Sequence, residues 1–171
     1  MRRNHFFLSY FLLLILQVLI CNYLQLSPIV ALSILPVMIL MLPIRFGAIF
    51  AMALAFVSGL CVDFLSEGVV GLNALALVPV AFLRSGIIRL VFGSEIFARN
   101  EDISIRKHGI GKMAVAIFVA QSIFLVIYIW ADGAFMHSFM FNLLRYAISV
   151  ISAVILSLVL SRALALNDHD L

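Results

Sequence analysis

The first long stretch without a charge decides the class of the protein. Residues 6–21 read FFLSYFLLLILQVLIC, and no Asp, Glu, Lys or Arg occurs from Asn4 to Ile44. The bias extends through all 171 residues, because 65% of them are hydrophobic and only 11% are charged. Soluble domains are about 45–50% apolar and about 25% charged, so this chain lacks the polar surface to cover a core in water. The composition predicts an integral membrane protein and excludes most soluble folds.

Six apolar runs approach the length of helix that crosses a bilayer, which is about 20 residues. The predicted spans are residues 6–21, 29–42, 46–62, 69–90, 113–131 and 138–160. The second is short and contains Pro36, whose ring removes one backbone donor and favours a kink. The runs are uniformly apolar and do not alternate, which excludes a transmembrane barrel. We therefore predict one all-α membrane domain of six transmembrane helices joined by short loops.

The basic residues are distributed unevenly between the two sides that six spans create. The side that holds both termini carries ten of the eleven, namely Arg2, Arg3, Arg45, Arg162 and six residues from Arg84 to Lys112. The other side carries only Arg145. Because Lys and Arg accumulate on the cytoplasmic side, both termini and the loop from Arg84 to Lys112 are predicted to be cytoplasmic. That loop could contact anionic lipid or dock a cytoplasmic partner.

Motifs for catalysis or metal binding are missing from the sequence. It contains no G-x-S-x-G, no H-E-x-x-H and no phosphate-binding glycine loop. Asp132 lacks the neighbouring aspartates that a metal-dependent lipid phosphotransferase needs, and Cys21 and Cys61 are too few ligands for a metal site. No basic face alternates with aromatic residues, as nucleic-acid binding would require. We predict no enzymatic activity, no cofactor, no metal and no nucleic-acid partner.

The most informative segment joins the third and fourth predicted spans. It reads GLCVDFLSEGVVGLNAL from Gly59 to Leu75. Gly59 allows close approach of a neighbouring helix, and Gly68 and Gly71 suit a tight turn with positive φ. Asp63 falls near the outer membrane interface, where an ionisable group is costly unless it is paired or hydrated. Asp63 is therefore a hydrated carboxylate at the loop edge, a structural or partner-facing carboxylate or, as the least favoured alternative, part of a proton relay.

Other polar residues lie inside the predicted spans. Arg145 falls seven residues into the sixth span, about 10 Å below its start. It could snorkel back to the interface, or pair with Asp63 or Asp132 on the same side. Gln17 and Gln121 also face the membrane interior, where polar contacts between helices contribute about 0.6–2 kcal/mol.

The segment from Gly59 to Leu75 resembles the MreD family of rod-shape-determining proteins. The shared pattern is G-L-x-x-D followed by G-x-x-A-L, here Gly59-Leu60-Cys61-Val62-Asp63 and Gly71-Leu72-Asn73-Ala74-Leu75. The early Leu-Gln17-Val, the proline-containing second span and the chain length are also similar. The resemblance marks the glycines of this segment and Asp63 as family-type positions. Arg145 is a candidate from this chain alone.

The resemblance implies a non-enzymatic subunit of the bacterial cell-elongation complex, in the cytoplasmic (inner) membrane. Such proteins help to organise lateral peptidoglycan synthesis with an MreC-like bitopic membrane protein, an MreB-like actin homologue, and a peptidoglycan polymerase and transpeptidase. The family is thought to be similar in fold to six-helix substrate-binding subunits of vitamin transporters. The alternative is therefore a small-solute-binding transporter subunit. Those subunits carry an A-x-x-x-A pattern on the first helix, which the bulky residues 6–18 lack.

Overall fold

The computed structural model describes residues 3–23, 30–66, 69–96, 103, 109–133 and 138–167, which are mostly helical and contain no strand. The main helices are α1 (Arg3–Tyr23), α2 (Leu35–Leu40), α3 (Ala48–Ser66), α4 (Leu72–Phe92), α5 (Ile110–Gly133) and α6 (Phe139–Asn167). The last four are long and apolar enough to cross a membrane, and α1 contains a shorter apolar stretch, Leu8–Tyr23. The all-α class is confirmed, and these helices indicate a multi-pass membrane protein.

The second predicted span is wrong as a continuous helix. Of the described residues 30–42, only Leu35–Leu40 are α-helical, and residues 30–34 have no regular structure. Pro36 lies in the first turn of α2, where its missing N–H leaves no hydrogen bond unmade. It therefore helps to start a short helix and does not kink a long one. All six residues of α2 are buried, and we call residues 30–42 the central segment.

Helices α1 and α3 run in the same direction. The Asn22 side-chain amide donates to the carbonyl oxygen of Leu65 at 3.4 Å, so the C-terminal ends of α1 and α3 meet. Earlier in the two helices, Tyr10 of α1 lies near Ser58 of α3. Because α1 and α3 are parallel, the chain between them has to run back from the C-terminal end of α1 to the end of the bundle where α3 begins. The central segment lies within that return.

The remaining helices pack in chain order, α3 on α4, α4 on α5 and α5 on α6, with α2 against α4 and α5. Contacts of Asp132 with Arg145 and of Gln121 with Ser157 show that α5 and α6 are antiparallel. Two ends result. The acidic end comprises the ends of α1, α3 and α5 and the starts of α4 and α6. The basic end comprises the starts of α3 and α5 and the ends of α4 and α6.

Aromatic side chains mark both ends of this apolar bundle. At the basic end, the rings of Phe46 and Phe50 stack with centroids 4.6 Å apart, and the Arg45 guanidinium lies 5.2 Å from the Phe46 centroid. At the acidic end, Trp130 meets Phe139 edge to face at 6.0 Å. The 19 residues of α3 span about 28 Å, close to the thickness of a bilayer core of about 30 Å. Aromatic residues at both limits of such a length are typical of interfacial anchors.

Candidate functional site

Asp63 caps helix α4 from the neighbouring helix α3. Its side chain is fully buried. Oδ2 accepts the backbone N–H groups of Gly71 at 2.9 Å and Ala74 at 3.3 Å, and Oδ1 accepts the backbone and side-chain N–H groups of Asn73, both at 2.9 Å. The three backbone donors belong to the start of α4, where N–H groups have no partner within the helix. Asp63 therefore does the work of an N-cap residue, which Gly71 at that position cannot do for lack of a side chain.

Glycines bring the two helix backbones together beside this cap. A Cβ atom on Gly59 would lie 2.5 Å from the Cα and 2.6 Å from the N of Ala74, and 2.9 Å from the carbonyl carbon of Asn73. Gly71 has φ of 99°, a left-handed conformation that side chains rarely adopt. Gly68 lies outside the described residues. Together Gly59, Asp63 and Gly71 form a tight joint between α3 and α4.

Arg145 belongs to a different place in the fold. Its Nη1 atom lies 2.7 Å from Oδ2 of Asp132, so of the two partners considered from the sequence it pairs with Asp132. The side chains are 11% and 33% exposed, and such a partly hydrated pair contributes only about 0–1 kcal/mol. Asp63 is occupied by the donors of α4. The acidic end therefore carries two separate polar clusters and no joint Asp63–Arg145 site.

A third polar cluster surrounds the central segment, whose non-helical residues cannot pair their own backbone groups. Gln17 of α1 is buried, and its Oε1 accepts the backbone N–H of Ile34 at 2.7 Å. Its Nε2 lies 3.4 Å from the carbonyl oxygen of Leu32 and 3.0 Å from the Sγ of Cys21. Irregular backbone at membrane depth is tolerated only where protein groups surround it. Gln17 supplies such groups from one side.

Helices α5 and α6 complete this cluster from the other side. The Nε2 atom of Gln121 donates to the carbonyl oxygen of Ser33 at 2.8 Å and to the hydroxyl of Ser157 at 2.9 Å. The hydroxyl of Ser149 accepts the backbone N–H of Ala31 at 2.9 Å. All three of these polar side chains are fully buried. The sequence drew attention to Gln17 and Gln121 as polar residues inside spans, but not to their backbone partners.

Arg84 holds the other end of the central segment. Its side chain is only 3% exposed, and its Nε and Nη2 atoms donate to the carbonyl oxygens of Leu40 and Leu42. Leu40 is the last residue of α2 and Leu42 follows its C-cap, and a cation is favourable at the C-terminal end of a helix. Grouping Arg84 with the basic loop up to Lys112 was therefore wrong. The signal was present, because Arg84 falls inside the predicted span 69–90, where an arginine indicates a specific role.

A matched pair of serines on α6 tests this cluster. We expect Ser149→Ala to lower the thermal stability in detergent, because the buried N–H of Ala31 loses its acceptor, at about 1–3 kcal/mol. The control is Ser152→Ala, since Ser152 is only half-buried and its hydroxyl donates to the carbonyl of Ile148 in its own helix. It should change stability by no more than about 0.5 kcal/mol. Equal effects of the two substitutions would show that Ser149 does not hold the central segment.

The polar side chains of the described residues thus hold helices against one another and satisfy non-helical backbone groups. Among them no three His, Cys, Asp or Glu side chains lie close enough to hold a metal ion. The clusters at Asp63, at Arg145 and around the central segment are the chemically distinctive places of this part of the chain. No protein-family model, curated protein or solved structure matches the chain.

Proposed function

We propose that this chain is a non-enzymatic membrane subunit of the bacterial cell-elongation complex, with a role like that of the MreD family. The observation that supports it is the position of the family-type pattern. Gly59, Asp63, Gly71 and Ala74 all meet at the α3–α4 joint, where they fix two helices against each other. Residues that build a rigid joint suit a scaffold that positions other proteins better than they suit a reaction.

We further propose six membrane crossings, with the central segment as the second. Five non-helical residues at about 3.3 Å each and eight more compact ones at about 1.5 Å each reach about 28 Å, the length of α3. The parallel direction of α1 and α3 supports this return across the bilayer. Both termini then lie at the basic end, which is cytoplasmic if Lys and Arg mark that side. The membrane is the bacterial cytoplasmic membrane.

The partners in this proposal are an MreC-like bitopic protein, an MreB-like actin homologue, and the polymerase and transpeptidase that build lateral peptidoglycan. Apolar side chains on α3, such as Phe56, Val57 and Phe64, are 52–79% exposed. They leave an outer face on which lipid or the single helix of a bitopic protein can pack. The resemblance suggests the bitopic protein as the partner on this face, and co-purification can test that suggestion.

A transporter subunit is the second candidate, and one observation favours it. Non-helical backbone enclosed by helices is typical of substrate sites in transporters. Here, however, backbone groups of residues 31–34 already bind Gln17, Gln121 and Ser149. Because these backbone groups already have side-chain partners, they are not available to a substrate, which favours a structural role for the central segment.

The topology is tested by reporter fusions. A reporter that works only in the cytoplasm should be active when fused after Leu171, and one that works only outside should be active when inserted within residues 134–137. The reason is that the two positions lie at opposite ends of α6. An extracytoplasmic C-terminus would contradict both the six crossings and the assigned orientation.

The role in wall synthesis is tested by depletion in the bacterium that encodes the chain. Cells should lose their rod shape, and a tagged copy should co-purify with the bitopic partner and restore the rods. A copy with Gly59→Ala should restore them poorly, whereas a copy with Gly86→Ala should restore them fully, because only the first disturbs the joint. Rods that persist after depletion, or a small solute bound stoichiometrically to the purified protein, would instead favour the transporter reading.

A further inference from the structure

We propose that the basic end of the bundle binds the headgroups of anionic phospholipids. The inference rests on the membrane insertion proposed above and not on the role in wall synthesis. A failure of the proposed role in wall synthesis would therefore leave this inference unaffected.

Exposed cations occupy the basic end on four successive helices. Arg45 precedes α3 by three residues, Arg89 lies in the last turn of α4, Lys112 lies in the first turn of α5, and Arg162 lies near the end of α6. Because neighbouring helices are about 8–10 Å apart, these four side chains form a row across the bundle. Such a row can meet several headgroups of one leaflet at once.

The two ends differ in the charge that they offer. Among the described side chains, the exposed charged groups of the basic end are the four cations and Glu95, and of these Arg89 and Glu95 also make contacts within the fold, which leaves Arg45, Lys112 and Arg162. At the acidic end, Asp63 is buried under N–H donors, and Arg145 is paired with Asp132. The basic end therefore holds an excess of accessible positive charge, and the described part of the acidic end does not.

Each cation stands beside an apolar side chain that faces outwards. Ile49 and Leu90, near Arg45 and Arg89, are both 81% exposed, and Ile110 and Val159, near Lys112 and Arg162, are exposed as well. A phospholipid presents the matching order, with a phosphate at the surface and acyl chains directly beneath it. Free phosphate could use only the cations. The pairing of cation and apolar side chain on four helices therefore points to lipid, with an attraction to anionic headgroups that each Lys or Arg strengthens.

Lipid titration tests the proposal. Full-length protein in detergent micelles is titrated with phosphatidylglycerol at low salt, with phosphatidylcholine as the neutral comparison lipid, and bound lipid is counted by native mass spectrometry. The test variant is Arg45→Gln/Lys112→Gln/Arg162→Gln, with Arg89 retained because it also makes contacts within the fold. Since each surface cation contributes about fivefold, half-saturation should require about 100-fold more phosphatidylglycerol.

The matched control keeps the charges and changes the side chains, as Arg45→Lys/Lys112→Arg/Arg162→Lys. It should bind like the wild type, and high salt should weaken wild-type binding because ions screen exposed charges. Wild-type affinity in the neutral variant, equal binding of phosphatidylcholine, or displacement of the lipid by inorganic phosphate would each overturn the proposal. If the neutral variant does not fold, the salt dependence of the wild type decides, and binding that salt leaves unchanged overturns it.

Discussion

Gly59→Ala is expected to force helices α3 and α4 apart. The added Cβ would lie 2.5–2.9 Å from three backbone atoms of Asn73 and Ala74, which cannot turn aside as the end of a side chain can. Overpacking of this kind costs about 1–3 kcal/mol and more where the backbone must shift, so we expect a loss of about 3 kcal/mol. Thermal unfolding in detergent, followed by circular dichroism, measures it.

The control for this substitution is Gly86→Ala in the middle of α4. The chemical change is the same, but no atom lies within 4 Å of the Cβ position at Gly86. Alanine stabilises a helix interior relative to glycine by about 0.5–1 kcal/mol, so this variant should unfold at the same or a higher temperature. If both variants unfold together with the wild type, the two helices do not approach as closely as the structure shows.

Asp63→Asn is expected to have an effect of similar size. The amide nitrogen would replace one carboxylate oxygen, so that an NH₂ group would face backbone N–H groups that now bind Asp63. Leaving the N–H groups of Gly71 and Ala74 without an acceptor costs about 1–3 kcal/mol each. The variant should therefore unfold at a clearly lower temperature, and should co-purify less of the bitopic partner if the α3–α4 joint supports that contact.

Asp132→Asn serves as the control for this carboxylate. Asp132 is one-third exposed and pairs with Arg145 at the same end of the bundle, so its loss should cost about 0–1 kcal/mol. Glu67→Gln is also expected to have a small effect, because the sequence places Glu67 near the loop centre; the residue lies outside the described part of the structure. Wild-type behaviour of Asp63→Asn in both measurements would mean that water can satisfy the start of α4.

The four long helices were predictable because the length of an uncharged apolar run in the sequence gives the length of the helix directly. Helix α3 nevertheless continues to Ser66, beyond the predicted end at residue 62, and this extension places Asp63 inside the last turns of the helix. A carboxylate closing an apolar run was a visible signal. Its role as a cap was not, because its donors lie eight to eleven residues further on and meet it only after α3 and α4 pack together.

The central segment was not predictable in the same way. Hydropathy measures whether residues are buried, and residues 30–42 are mostly buried, but it does not report whether their backbone is helical. The distinction depends on Gln17, Gln121 and Ser149, which come from helices far apart in the chain and offer partners for non-helical backbone. Arg84 could have been recognised, since it interrupts an otherwise uncharged part of a predicted span.

The central segment also constrains how the chain is made. Among the described side chains that bind its backbone from other helices, Gln17 is synthesised before it, whereas Arg84, Gln121 and Ser149 are synthesised later. Until they arrive, non-helical backbone would face lipid, where each unsatisfied polar group costs several kcal/mol. If the central segment is the second crossing proposed above, we expect it to enter the bilayer only after α6 has been made. With that topology, insertion of this protein is not a series of independent steps from the N-terminus, and release of the ribosome before α6 would leave the central segment outside the bilayer.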